Sequence, residues 1–293
     1  MDAGRDTRGT LYVVGSPIGN LGDLSPRAVE AFASSDIIAC EDTRRTRVLL
    51  SRHGLSRRMV SYHKFNEGRR LRELLETLRG GGRIALVSDG GTPGISDPGA
   101  LLVRAAREDG HRVVPIPGPS AVTTLLSASG FAPGPFTFIG FLPHRKGERR
   151  RALQALRAEP RPLLFFESPR RLTAALADAL EILGDRDACL GRELTKLHEE
   201  LLTGPVSSLL AAFEGRQVRG EVAFLLAGPL QALSPAAARG PEDASGGSPA
   251  TRVRRLIETG LDRKEAMRRV ARETGLSRRD LYRQILSERS EEE

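Results

Sequence analysis

Short apolar runs alternate with amphipathic stretches between residues 8 and 120 of the chain. The runs predict buried strands at Leu11–Val14, Asp36–Ala39, Ile84–Val87 and Val113–Ile116. Ser25 as an N-cap and Pro26 in the first turn predict where the first helix begins. The leucines of RRLRELLETLR (residues 69–79) share one helical face. Strands that alternate with helices predict a largely parallel sheet covered on both faces, so we expect a first α/β lobe over residues 8–120.

A second series of strands follows the turn-rich segment FAPGPF. Its apolar runs predict strands at Phe136–Ile139, Leu163–Phe166, Ala188–Leu190 and Glu221–Leu226. Helical segments lie between these runs. The pattern therefore predicts a second α/β lobe over residues 121–230.

The end of the chain has a different composition. Residues 231–250 are rich in Ala, Pro, Gly and Ser, which is typical of a linker. Short helices are predicted over residues 251–290. Asp262 with Glu265 and Ser277 with Asp280 have the spacing of a capping box, and Gly260 and Gly275 are placed to end helices. The stretch is similar to a helix-turn-helix. A small helical bundle used for packing or dimer contacts fits the same pattern.

Positive charge is concentrated in two parts of the chain. The formal net charge is +8 and the pI is about 10.2. Residues 144–151 hold five Lys or Arg against one Glu, and residues 251–290 hold twelve basic against six acidic side chains. Lys and Arg supply most of the non-specific affinity for nucleic acid by neutralising phosphates. The clustering favours a nucleic-acid partner over a merely soluble basic surface.

Several classes of protein lack support in the sequence. It has no run of eighteen apolar residues, and the N-terminus shows no signal-peptide pattern, so we expect a cytoplasmic protein without a membrane anchor. Cys40 and Cys189 stand far apart with no CxxC or His-rich surroundings. We therefore expect both to be buried small residues, with no disulfide framework and no zinc site.

Three glycine- and proline-rich loops follow predicted strands of the first lobe, at Gly15–Pro26, Ser88–Gly99 and Pro117–Val122. Open α/β sheets bind their ligands at this edge. Neither GxxxxGK[ST] nor GxGxxG is present, which disfavours a phosphate-binding P-loop and a dinucleotide cofactor. Asp89 and Asp97 of the second loop do not have the spacing of a calcium-binding EF-hand. Each loop taken alone is explained by ordinary turns, but three such loops at one edge of a sheet predict a ligand site.

The order of motifs resembles that of a known family. In sequence they are LYVVGSPIGNLGDLSPRA, IIACEDTRRTRVLL, SYHKFNE, ALVSDGGTPGISDPG, PIPGPSA, FESPRR, GRELTKLHEE and GEVAFLLAG, spread over residues 10–230. Together they resemble the tetrapyrrole methylase superfamily of S-adenosylmethionine (SAM)-dependent enzymes. EDTRRTR and SDGGTPGISDPG are specific to the branch that methylates a cytidine ribose 2′-hydroxyl in the decoding region of small-subunit ribosomal RNA.

The resemblance implies a homodimer in which the two lobes enclose SAM in the cleft between them, acting on 16S rRNA or the 30S subunit. Carried over by position, the implied cofactor contacts are Pro17, Ile18, Asp89, Gly91, Thr92, Ile95, Ser120, Ala121, Phe166 and Gly228. The chain has SDGGTP where tetrapyrrole enzymes show GDP followed by an aromatic residue. This departure weakens the porphyrinoid interpretation.

Methyl transfer from SAM to an alcohol needs no metal, but a ribose hydroxyl is a poor nucleophile until its proton is taken up. Glu193 is the first candidate for the proton acceptor and Glu41 the second. Alternatively, these carboxylates pair with basic side chains and only organise the cleft. Candidate RNA contacts are Arg44, Arg45, His63, Lys64, Asn66, Arg145 and Lys146.

Two other functions remain open on the sequence alone. A methylase acting on a tetrapyrrole would share the fold and the cofactor, but would not need the basic tail. A DNA-binding regulator, whose α/β part senses a ligand, would account for the helix-turn-helix resemblance.

Overall fold

The first sheet contains five parallel strands in the order β3-β2-β4-β1-β5. The computed structural model describes residues 8–131, 134–229, 249–258, 261–274 and 281–282. The strands of the first sheet are β1 (Thr10–Val14), β2 (Ile37–Cys40), β3 (Met59–Ser61), β4 (Arg83–Val87) and β5 (Arg112–Ile116). The parallel arrangement confirms the prediction from the alternating pattern. The sequence did not predict β3, because three residues are too few for a periodic signal.

Four helices cover the two faces of this sheet, as expected for a parallel sheet. They are α1 (Pro26–Ser34), α2 (Thr43–Arg52), α3 (Glu67–Arg79) and α4 (Ala100–Glu108). Leu74 and Leu78 of α3 are fully buried on one face, and Phe32 of α1 is fully buried on the other. The Ser25 hydroxyl accepts a hydrogen bond from Ala28 N–H at 3.2 Å, which confirms the predicted helix start.

The second sheet is mixed, with the strand order β6-β7-β10-β8-β9. Its strands are β6 (Thr137–Phe141), β7 (Leu163–Glu167), β8 (Asp187–Arg192), β9 (Glu200–Pro205) and β10 (Val222–Leu226). Its helices are α5 (Ala121–Ala128), α6 (Lys146–Ala155), α7 (Leu172–Leu183) and α8 (Val206–Phe213). Only β6 and β7 pair in parallel, while β10 runs antiparallel to both of its neighbours. The antiparallel direction of β10 places its first residues, and not its last, at the same edge as the ends of β7 and β8.

The chain divides into two compact units at residue 232, and both sheets belong to the first. In the second unit, α9 (Pro249–Glu258) and α10 (Arg263–Thr274) bury Val253, Ala266 and Val270 together. The Asp262 carboxylate accepts a hydrogen bond from Lys264 N–H at 3.1 Å, as a capping residue does. The predicted linker up to residue 248, Gly260, Gly275, Ser277 and Asp280 lie outside the described residues. The domain limits and the helix-turn-helix therefore stay predictions.

The environment of the two cysteines can be checked directly. Cys40 and Cys189 are both free and buried, as predicted. Among the described residues, no helix combines the length and apolarity needed to cross a bilayer.

An ion-pair network joins α6 to α7 in the second lobe. Arg149 Nη2 lies 2.6 Å from Asp178 Oδ2, and both side chains are only 6% exposed. Arg150 Nη1 bonds Asp178 Oδ1 at 3.0 Å and Glu181 Oε2 at 2.6 Å. Arg145 of the same segment also lies 3.4 Å from Glu148 Oε1, so three of the five basic residues between 144 and 151 are paired with carboxylates of the chain. The contribution of this segment to a nucleic-acid surface is smaller than its composition indicated.

We expect Asp178→Ala to lower the free energy of unfolding by about 3–5 kcal/mol, because it leaves the buried Arg149 guanidinium without a counter-charge. The matched control is Glu181→Ala, which also removes a partner of Arg150, but from a side chain that is 63% exposed. That substitution should cost much less, because solvent screens an exposed ion pair. Urea unfolding of both variants measures the difference, and equal losses would contradict the account.

Candidate active site

The loops that follow β1 and β5 meet through their backbones at the carboxyl edge of the first sheet. Gly15 N–H donates to Ile116 O at 3.0 Å. A Cβ added to Gly15 would lie 2.7 Å from Gly118 N, and one added to Gly118 would lie 2.5 Å from Gly15 O. Real side chains do not approach backbone atoms so closely. The junction therefore requires glycine at both positions.

The loop after β4 is attached to the loop after β1. Ser16 N–H donates to Gly91 O at 2.8 Å, and Gly91 N–H donates to Ser16 O at 3.0 Å. The buried Ser16 hydroxyl also donates to Ser88 O at 3.1 Å. Gly91 has φ +83°, a conformation that favours glycine. These bonds join the two loops into one wall.

The loop between β8 and β9 of the second lobe faces these joined loops of the first lobe. A Cβ added to Gly19 would lie 2.9 Å from Leu194 O and 2.9 Å from Thr195 Oγ1, so the loops of the two lobes touch there. Glu193 and Thr195 have φ values of +52° and +67°. Non-glycine residues rarely adopt this conformation, and those that do cluster at functional sites.

A cavity of about 330 Å³ lies between these walls. This volume is within the range of small-molecule sites. From the first lobe it is lined by Ile18, Asp89, Gly90, Gly91, Thr92, Ile95, Ser96, Asp97, Ser120 and Ala121. From the second lobe it is lined by Phe141, Phe166, Glu167, Ser168, Pro169, Gly191, Leu194 and residues 220–223. The lining therefore combines apolar surface with several carboxylates and hydroxyls.

Three carboxylates stand close together on the first-lobe side. Burial, and after it the nearby charges of Glu41 and Asp89, raises the pKa of Asp97 to about 6 against the opposing effect of a hydrogen bond with Ser88. Burial and then Asp89 also raise the pKa of Glu41. The pKa of Asp89 is raised mainly by burial, although its Oδ1 accepts a hydrogen bond from Asp42 N–H at 3.0 Å. Asp97 thus titrates near neutral pH inside the cavity.

Glu193 has a different environment from the one expected of a proton acceptor. Its Oε1 accepts hydrogen bonds from Lys196 Nζ at 2.7 Å and from Glu221 N–H at 2.9 Å. Burial alone would raise the pKa of Glu193, but these two hydrogen bonds outweigh it and lower the pKa. Glu193 is also absent from the cavity lining. Its contacts are those of a residue that holds the Gly220–Glu221 backbone in place.

The structure brings most of the predicted cofactor residues together. Those that line the cavity are Ile18, Asp89, Gly91, Thr92, Ile95, Ser120, Ala121 and Phe166. Pro17 instead lines an adjoining pocket of about 270 Å³, which it shares with Arg45 and Asp89. Gly228 packs against Pro160 and does not border the cavity. Because β10 is antiparallel to its neighbours, its first residues, not those after its end, reach the site.

The sequence interpretation missed several lining residues. They are Gly90, Ser96, Asp97, Phe141, Glu167, Ser168, Pro169, Gly191, Leu194 and residues 220–223. FESP directly follows an apolar run, which was a usable signal of a loop at a strand end. Asp97 lies in the loop Ser88–Gly99, which the sequence predicts as part of a ligand site, but nothing in its spacing indicates that it is partly buried.

The predicted RNA contacts lie outside the cavity lining. Arg44 and Arg45 are 85% and 65% exposed, and Arg44 Nη2 lies 2.7 Å from Asp42 Oδ2. Lys64, Arg145 and Lys146 are exposed and His63 is partly buried. Asn66 accepts from His63 N–H at 2.8 Å and donates to Ser61 O at 3.1 Å. Its amide therefore serves the turn in which it lies.

A family model described as Tetrapyrrole (Corrin/Porphyrin) Methylases matches residues 10–210. The chain belongs to this family. It is 49% identical over 224 residues to "Ribosomal RNA small subunit methyltransferase I" of Mesorhizobium japonicum, a match that covers 76% of each chain. It is 43% identical over 278 residues to the protein of the same name from a Synechocystis species, covering 94% of this chain and 96% of that one. The second alignment extends into the C-terminal unit.

Solved structures share the methylase fold at much lower identity. The crystal structure of a diphthine synthase matches with a TM-score of 0.59 and 17% identity, covering 75% of this chain and 90% of that one. This likeness concerns the fold alone. It confirms the predicted two-lobed α/β architecture of the family.

Proposed function

We propose that this chain is a SAM-dependent methyltransferase that modifies small-subunit ribosomal RNA at a cytidine ribose 2′-hydroxyl. The observation that carries the proposal is the cavity between the lobes, with its carboxylate-lined wall and its apolar surfaces. The names of the relatives support an rRNA substrate. The family resemblance supports the ribose position, a homodimer, and lobes at 8–120 and 121–230 followed by a basic helical domain at 251–290. An rRNA substrate implies a cytoplasmic site of action.

The chemistry of the lining suits SAM. Ile18, Ile95 and Phe166 offer apolar contacts for an adenine ring. Asp89 offers acceptors for the ribose hydroxyls of the cofactor and negative charge for a cationic ligand. Glu167 also borders the cavity, and among the described residues its buried Oε2 has no hydrogen-bond partner. An unpaired buried carboxylate oxygen calls for a donor such as an amine or a hydroxyl.

The carboxylates also address the reaction. SAM supplies an electrophilic methyl group on a positively charged sulfur. The hydroxyl that receives this group must lose its proton, and a nearby carboxylate with a raised pKa is suited to accept it. Asp97 lines the cavity, and the charge of the nearby Glu41 contributes to the raised pKa of Asp97. We propose Asp97 as the proton acceptor in place of Glu193, with Glu41 as its neighbour that tunes the pKa.

The alternative substrate within the family is a tetrapyrrole. Exposed cationic side chains on α2 and on the turn after β3 suit a phosphate backbone better than a porphyrinoid. A DNA-binding regulator would leave the carboxylates of the cavity without a chemical role. We therefore favour RNA methylation over both.

Filling the cavity tests the cofactor assignment. We expect Ala121→Trp to weaken SAM binding by about 100-fold or more in calorimetry, because the indole would occupy space between the lobes. Ser127→Trp is the control, since Ser127 is an exposed residue on the same helix and is absent from the lining. Equal SAM affinity in wild type and Ala121→Trp would remove the assignment.

Replacing the proposed proton acceptor tests the chemistry. Asp97→Asn should lower kcat for tritiated methyl transfer to 30S subunits by about 100-fold, with SAM affinity in calorimetry changed much less. An acceptor must be ionised, so the wild-type rate should rise with pH through about 6, the pKa of Asp97. Glu41→Gln removes a neighbouring negative charge and should move this rise to lower pH. An unchanged kcat in Asp97→Asn would contradict the role.

A further inference from the structure

An exposed aromatic side chain stands on the turn that connects β3 to α3. Phe65 is 93% exposed, and the Lys64 next to it in sequence is exposed as well. Tyr62, the residue before His63, donates its N–H to Cys40 O at 2.8 Å, so the turn begins next to Glu41. The turn therefore lies beside the carboxylate cluster of the first lobe.

Hydrogen bonds hold this turn in one conformation. His63 N–H donates to Asn66 Oδ1 at 2.8 Å, and Asn66 N–H donates back to His63 O at 2.8 Å. Phe65 N–H donates to His63 Nδ1 at 3.3 Å. Glu67, at the start of α3, accepts from Gly99 N–H at 3.1 Å and ties the turn to the loop after β4. Phe65 is thus presented on a fixed backbone, so a ligand that contacts it pays little for loop ordering.

The surroundings of Phe65 indicate what it binds. The His63 ring forms a T-shaped pair with the Phe65 ring, with ring centroids 6.1 Å apart. Phe65 nevertheless stays 93% exposed, so its ring is accessible to a ligand. Arg44 and Arg45 lie in the first turn of α2, which follows the adjacent strand β2. They pair with Asp42 and Asp89 but remain 85% and 65% exposed, so their outer faces stay open to phosphates. Sites for single-stranded nucleic acid combine aromatic faces for stacking with cations for the phosphates.

We propose that Phe65 is a stacking platform for an unpaired base of the RNA strand that carries the target nucleotide. The proposal rests on the proposed function and names a contact that the family resemblance did not supply. Cationic neighbours favour RNA over a second copy of this chain, whose surface is itself basic at a net charge of +8. A copy of the chain on this face is an outcome that the test must detect.

The test compares Phe65→Ala with Phe65→Tyr, which keeps an aromatic face. The probe is a fluorescein-labelled mixed-sequence single-stranded RNA 12-mer, measured by anisotropy beside the same backbone made abasic. Phe65→Ala should weaken binding of the normal oligomer by about tenfold, the effect of losing one stacked base. Phe65→Tyr should bind like wild type, and the abasic oligomer should not distinguish the variants. Leu197→Ala, which truncates a side chain that is 92% exposed in the second lobe, should leave binding unchanged.

Two outcomes would overturn the platform. One is equal affinity of wild type and Phe65→Ala for the normal oligomer. The other is a change in oligomeric state of Phe65→Ala by sedimentation, with RNA affinity retained, which would assign the face to a second copy. The proposed function is read separately from tritiated methyl transfer by the wild type. If the wild-type protein binds the oligomer through Phe65 but does not methylate 30S subunits, the stacking platform is supported and the proposed function is rejected.

Discussion

The site depends on a backbone contact that tolerates no side chain, the packing of Gly15 against Gly118. Because β1 and β5 are neighbours, the loops after them leave the sheet side by side, and a Cβ at either glycine would overlap the backbone of the other loop. The contact sets where the first loop turns toward Gly91 and where α5 begins at Ala121. One wall of the cavity is therefore built from main chain held in register by a parallel sheet. Side chains then give that wall its chemistry.

Charge is divided in a way that the net value of +8 conceals. Inside, Asp89 and Asp97 line the cavity and Glu41 stands beside them. Outside, cationic side chains on α2 and on the turn after β3 face solvent. An acidic interior suits a cationic methyl donor, whereas a basic exterior suits a polyanionic substrate. Burial is the main cause of the raised pKa values of these carboxylates, and neighbouring negative charges add to it. The resulting pKa of Asp97, about 6, suits the proton acceptor that we propose.

The sequence predicted most of the first lobe because its strands are short apolar runs with glycine-rich loops at their ends. It failed where local pattern carries no information about direction or partners. The sequence did not predict strand β9, because its residues alternate between exposed and partly buried positions at a sheet edge and form no apolar run. Gly228 is a contact implied by the family resemblance, but it follows the end of β10, and the antiparallel direction of β10 brings the start of that strand to the cavity instead. Glu193 has the right side chain for catalysis, but only the fold reveals that Lys196 and a backbone N–H engage it.

A crystal structure with S-adenosylhomocysteine, the product left after methyl transfer, tests the central claim most directly. The account predicts density for the nucleoside in the cavity between the lobes, in contact with Ile18, Asp89 and Ala121 on one side and Phe166 on the other. Density bound elsewhere, with this cavity closed by its own side chains, would contradict it.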